Sequence, residues 1–178
     1  MFITMKLVVA IFFGLRATLV SATVIRPWEI RALGTTSPPN RQGDGPIPSY
    51  AALKIADPTG YSMPSYAEAS TCRLDWQYLE QPYGKPFNCT AVEYGVWSVE
   101  MVESNNTRSA SPTTDFGLHI ALAHKDFGLW EAEPWFKVGD NMQGMCSAGG
   151  LCAFQLKGEL IPLSVKQKKK KKGAEDET

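Results

Sequence analysis

Phe116-Gly117-Leu118-His119-Ile120-Ala121-Leu122-Ala123 sets four large apolar side chains at even positions against small or polar ones at odd positions. A period of two is the signature of a strand that buries one face. Working outward, Tyr94 to Val102 (YGVWSVEMV) is rich in β-branched and aromatic residues. Trp135 to Val138 and Leu151 to Leu156 read as two further short strands. Lys157-Gly158-Glu159 turns the chain into Leu160 to Val165, where Pro162 points to an edge strand. Polar loops at Ser104 to Thr114, Gly139 to Gly144 and Ser147 to Gly150 separate these runs, and no long 3.6-residue period competes with them. The expected fold is all-β, a small disulfide-stapled β-sandwich or β-barrel occupying residues 71–165.

The flanks differ in composition. Thr35 to Tyr50 (TTSPPNRQGDGPIPSY) is dense in Pro, Gly and Ser, and Pro58, Gly60 and Pro64 continue the pattern. Such a stretch buries little apolar surface against the entropy of ordering it, so residues 23–70 are expected to form a largely disordered arm. Ala51 to Ala56 (AALKIA) could make one helical turn within it. Residues 166–178, a lysine run followed by Glu175, Asp176 and Glu177, are expected to be a solvated, disordered tail.

Residues 1–22 read as a secretory signal. Lys6 supplies the positive start, Leu7 to Leu15 the short apolar run, and Val20-Ser21-Ala22 the cleavage positions. Cleavage removes Lys6 and Arg16, leaving 16 basic against 18 acidic side chains. No later stretch is apolar for long enough to span a bilayer, so a secreted, extracellular protein is expected, without stable membrane insertion.

In an oxidising compartment the four cysteines Cys72, Cys89, Cys146 and Cys152 read as two disulfides. Three pairings are open. The sequential one, Cys72–Cys89 and Cys146–Cys152, closes two local loops and is expected. The chain-entropy model assigns about 3 kcal/mol to the first loop and roughly 2 to the second. A small domain has only ~5–15 kcal/mol in total, so both would matter.

Candidate chemistry is sparse. Asn88-Cys89-Thr90 and Asn105-Asn106-Thr107 are sequons, which makes Asn88 and Asn105 candidate glycosylation sites. His119 and His124 are five residues apart and, on one strand, face opposite ways, so no metal is expected. No G-x-S-x-G elbow occurs. Asp-Phe-Gly occurs twice, at 115–117 and 126–128, without the other kinase motifs. Neither a catalytic residue nor a cofactor is therefore expected. Glu131 and Glu133 would share a strand face between Trp130 and Trp135, the one arrangement that suits carbohydrate binding or glycoside hydrolysis. The lysine run alone is a weak reason to expect nucleic acid, and none is expected.

Val138-Gly139-Asp140-Asn141-Met142, the run from Cys146 to Cys152, and Phe154 resemble a C-terminal signature of small secreted proteins of filamentous ascomycetes. Cys72 through Trp76, with Cys89 and Trp97, resemble its N-terminal half, so the likeness covers residues 70–165. With its signal and arm, the chain resembles a fungal effector. Ala148-Gly149-Gly150 is also similar to a step in the second cysteine loop of the Alternaria major allergen family. That likeness implies a β-barrel with two sequential disulfides and a role in contact with a plant host, and it brings no catalytic residue. This chain differs in its shorter second loop, its extra arm and the lack of a further cysteine. The function expected is that of a secreted, non-enzymatic interaction protein, effector-like or allergen-like, with a host or cell-wall protein or polysaccharide as partner.

Overall fold

The computed structural model describes residues 24–39, 47–77, 80–105 and 111–170. The signal expected over residues 1–22 lies outside them. The described residues hold twelve strands and two short 3-10 turns. In chain order the strands are β1 (Trp28–Ser37), β2 (Ser49–Ala56), β3 (Ala69–Trp76), β4 (Asn88–Cys89), β5 (Gly95–Glu103) and β6 (Asp115–His124). They continue with β7 (Gly128–Ala132), β8 (Trp135–Lys137), β9 (Met142–Cys146), β10 (Cys152–Leu156), β11 (Leu163–Val165) and β12 (Lys168–Lys169).

The strands form two antiparallel sheets, a sandwich rather than a single closed barrel. One has seven strands in the order β4-β3-β2-β1-β10-β9, with β11 also on β1. The other has five in the order β12-β7-β6-β5, with β8 also on β6. Each is built round one long strand. β6 pairs with β5 along its length, and with β7 and β8 end to end on its other side. β1 does the same with β2, β11 and β10.

The 116–123 alternation holds. Phe116, Leu118, Ile120 and Leu122 are fully buried. Trp97, Val99 and Met101 of β5 join them, and Ala51, Leu53, Ile55, Cys72, Leu74 and Trp76 oppose them from the seven-stranded sheet. Trp28 and Trp97 meet edge to face at 4.8 Å. The Tyr94 hydroxyl is a second tie. It donates to the Glu68 carbonyl and accepts the Asp57 amide N–H and the Trp97 indole N–H. The Thr35 hydroxyl of β1 donates to the Thr113 carbonyl ahead of β6.

The expected disordered arm over 23–70 is corrected: it supplies β1, the central strand of the larger sheet, together with β2 and the start of β3. Trp28 and Ile30 face inward, and so do Leu33 and Thr35. Between the two pairs the register skips at Arg31, a one-residue bulge. The bulge moves the inward positions from even to odd, which hides the alternation. Residues 40–46, the most polar part of the arm, lie outside the described residues. Ala51 to Ala56 is strand rather than a helical turn, because Ala51, Leu53 and Ile55 all face the core.

The expected tail is corrected in part. Lys168 and Lys169 add β12 to the edge of β7, and the Lys170 amide N–H donates to the Leu129 carbonyl. Pairing supplies what composition does not, since main-chain hydrogen bonds need no apolar side chain. Residues 171–178 lie outside the described residues. Of the strand expected over Leu160 to Val165 only Leu163–Val165 forms, pairing with the first half of β1, while Leu160 ends a 3-10 turn.

Candidate functional site

The outward residues of β6 are Gly117, His119, Ala121 and Ala123, and they open on the face that holds the sequence-expected acidic pair. Gly117 stands opposite Trp135. A Cβ at Gly117 would lie 3.0 Å from the Trp135 ring, so the indole rests on the bare backbone. Trp135 remains 46% exposed and offers its free side to solvent.

Glu131 is opposite Ala121 and belongs to the same face. Its carboxylate lies 3.8 Å from His119, 3.5 Å from Lys168 and 3.7 Å from Lys170. Glu133 lies just past β7 yet keeps the outward side with Glu131, because the register with β6 runs on: Ile120 faces Ala132, the Leu118 amide N–H donates to the Pro134 carbonyl, and Gly117 faces Trp135. β7 ends at Ala132, because Pro134 has no N–H to continue the ladder. Trp130 departs from expectation. It packs against the core, donates its indole N–H to the Phe127 carbonyl, and has the Lys169 ammonium 5.9 Å from its ring. Of the four residues, Trp135, Glu131 and Glu133 lie on one face and Trp130 does not.

His119 and His124 do face opposite ways. His124 is buried between Tyr94 and Phe127, and its Nδ1 accepts the Asp126 amide N–H. No group of three or more potential metal ligands occurs among the described residues.

The outer face of the larger sheet carries an open groove of about 660 Å³. Pair registers place Met145, Ala153, Thr36, Tyr50 and Asp75 in one row across five strands. Gln143, Gln155, Gly34, Ala52 and Arg73 make the next row. Gly34 and Ala153 form a low floor. Met145 and the two glutamines wall one side, and Tyr50 walls the other. The Arg73 guanidinium stands 4.1 Å over the Tyr50 ring from the β3 side. Asp75 holds it at 2.7 Å, and these hydrogen bonds raise the Arg73 pKa further, so the cation persists at any ordinary pH. The Thr36 hydroxyl and the exposed Gln143 and Gln155 amides line this groove.

Both disulfides belong to this sheet. Cys72–Cys89 joins directly opposed residues of β3 and β4, and Cys146–Cys152 joins directly opposed residues of β9 and β10. The strand order puts them at opposite margins, with the groove between. Disulfides of this kind persist in oxidising compartments such as the extracellular space. Asn88 is exposed and sits opposite Arg73 at the outer margin, and its sequon hydroxyl on Thr90 accepts the Thr71 amide N–H. Asn105 is exposed, while Asn106 and Thr107 span the start of residues outside those described.

Sequence reasoning missed Tyr50, Thr36, Gln143 and Gln155, which lie on four strands. Arg73-x-Asp75 was the available signal, since residues two apart on a strand share a face. No protein-family model, curated protein or solved structure matches this chain.

Proposed function

We propose that this is a secreted, non-enzymatic interaction protein, effector-like or allergen-like, that presents a rigid β surface to a host or cell-wall partner. One observation carries the reading. The two disulfides clamp opposite margins of the single sheet whose outer face bears the groove and its polar lining. Holding a face in its bound shape lowers the ordering cost of association.

The test begins with the full chain expressed through a secretory route. The medium should contain a protein starting at Thr23 that gains four hydrogens on reduction. That protein should be retained by isolated cell walls of a fungus or a plant. A Cys146→Ser/Cys152→Ser double variant that stays folded should be retained less. Free thiols in the secreted protein, or no retention on either wall, would refute the proposal.

A second reading is carbohydrate contact at the five-stranded face. Trp135, laid flat on Gly117 and half open to solvent, favours it, because a fixed aromatic plane suits the apolar face of a sugar ring. Trp135→Ala should then weaken retention on a polysaccharide.

A further inference from the structure

We infer that the groove on the outer face of the seven-stranded sheet binds a neutral polysaccharide segment, with Tyr50 as its aromatic wall and Thr36, Gln143 and Gln155 as its hydrogen-bonding groups. The inference rests on the extracellular binding reading and gives it a ligand class.

Size is the first argument. The volume of about 660 Å³ falls within the ~300–1,000 Å³ of small-ligand sites. Tyr50 and Met145 are three strand spacings apart, about 14 Å, so the trough is long enough for linked rings rather than a single small group.

Charge is the second. No ionisable carboxylate or cation lines the groove. Arg73 and Asp75, the charges beside Tyr50, pair with each other, and Lys54 on the same face lies outside the lining. A charged ligand would lose water here without a partner, whereas a neutral one would not.

Hydrogen-bond chemistry is the third. A sugar hydroxyl both donates and accepts. So does each glutamine amide and the threonine hydroxyl. The floor strands β1 and β10 are paired on both sides, so the main chain beneath the groove has no free edge to offer an extended peptide. Recognition over that floor comes from side chains, the free main-chain edge lying only at β9.

The aromatic wall is the fourth. Tyr50 borders the groove, and the guanidinium over its ring, itself held by Asp75, fixes the ring's position. A pre-set ring loses little freedom on stacking.

The experiment compares the wild-type secreted protein with Tyr50→Ala, Gln155→Ala and Trp135→Ala on chitin, cellulose and β-1,3-glucan, and on isolated cell walls. Melting curves report folding of each variant, and Gln155, being exposed, gives a variant that keeps the core intact. Retention of the wild type on at least one polysaccharide is expected. Tyr50→Ala should bind roughly tenfold more weakly, and Gln155→Ala severalfold, with Trp135→Ala unchanged. Retention by cell walls but by no polysaccharide, lost after protease treatment of the walls, would overturn the glycan inference and leave the binding reading standing. Retention by neither would remove both. Loss in Trp135→Ala with none in Tyr50→Ala or Gln155→Ala would overturn the groove in favour of the opposite face.

Discussion

Trp28 of β1 and Trp97 of β5 meet edge to face across the two sheets, their ring centroids 4.8 Å apart at 74°. Both are buried, Trp28 completely. One member comes from the low-complexity N-terminal stretch and the other from the strand-rich half, so the contact joins the two parts of the chain into one core. Trp28→Ala should destabilise the protein by about 3–5 kcal/mol. A variant starting at Ser49, which lacks β1, should not fold, since β1 is the strand on which β2, β10 and β11 assemble. Denaturant melts and the dispersion of amide resonances check both. A folded truncation would sink this view of the core.

Gly144 of β9 lies against the β10 backbone. A Cβ there would come 2.1 Å from the Ala153 carbonyl oxygen and 2.7 Å from the Phe154 Cα. Neither atom can swing away as a side chain does. Gly144→Ala should therefore part β9 from β10 and cost ~1–3 kcal/mol. Amide exchange should accelerate at Met145 and Ala153. Unchanged protection at both would contradict the close approach.

The two disulfides should differ in their response to reductant. Cys72 is fully buried, while Cys146 is exposed in the β9–β10 hairpin. Thiolate attack needs access. Limited reduction followed by alkylation and peptide mass spectrometry should label Cys146 and Cys152 first. Loss of that bridge should cost roughly 2 kcal/mol, against about 3 for Cys72–Cys89. Labelling in the reverse order would refute the burial argument.

Burial raises the Tyr94 phenol above its ordinary pKa, outweighing the hydrogen bonds it accepts from Asp57 and Trp97. Tyr83 is raised too, by burial and then by Glu103 and Asp115. A raised folded pKa means that the unfolded chain gives up its proton first. This contribution is fully present below the unfolded value of about 10 and is lost as the pH rises through the folded value. Denaturant midpoints should fall above about pH 10. Tyr94→Phe should fall less steeply there, from a lower start, because the Asp57 and Trp97 N–H groups lose their acceptor at about 1–3 kcal/mol. An equal alkaline slope in the variant would count against Tyr94 as a source.

Glu131 is the acidic anchor for β12. It faces Lys168, Lys170 and His119, and it is better shielded than either lysine. Glu131→Gln should leave global stability within about 1 kcal/mol, because pairs with such exposed lysines contribute little. It should release the strand locally, with faster exchange of the Lys170 amide that donates to Leu129. Faster exchange throughout the core instead would mean that β12 is integral to the sheet.

The central strand of the smaller sheet was legible because β6 keeps a strict period of two over its whole length. The cysteine pairing was legible because each bridge joins cysteines close in the chain, 17 and 6 residues apart. β1 was not legible, since the bulge at Arg31 breaks its alternation and the Pro- and Gly-rich segment beside it dominates the composition. β2 was misread because alanine fits helix and strand alike, leaving only Leu53 and Ile55 to mark the inward side. The acidic pair at 131 and 133 was placed by spacing, and the register with β6 keeps both on one side although Pro134 leaves a gap in the ladder; Trp130, one residue off that parity, turns to the core.

By itself the sequence determined the all-β class, the two staples and the opposed faces of the two histidines, because these follow from local periodicity and short-range loop closure. The tertiary structure alone decided which strands lie at the centre of each sheet. It also brought Thr36, Tyr50, Gln143 and Gln155 to one groove, and laid Trp135 on Gly117. Register between strands distant in the chain depends on the packing of the whole core, and no local pattern encodes it.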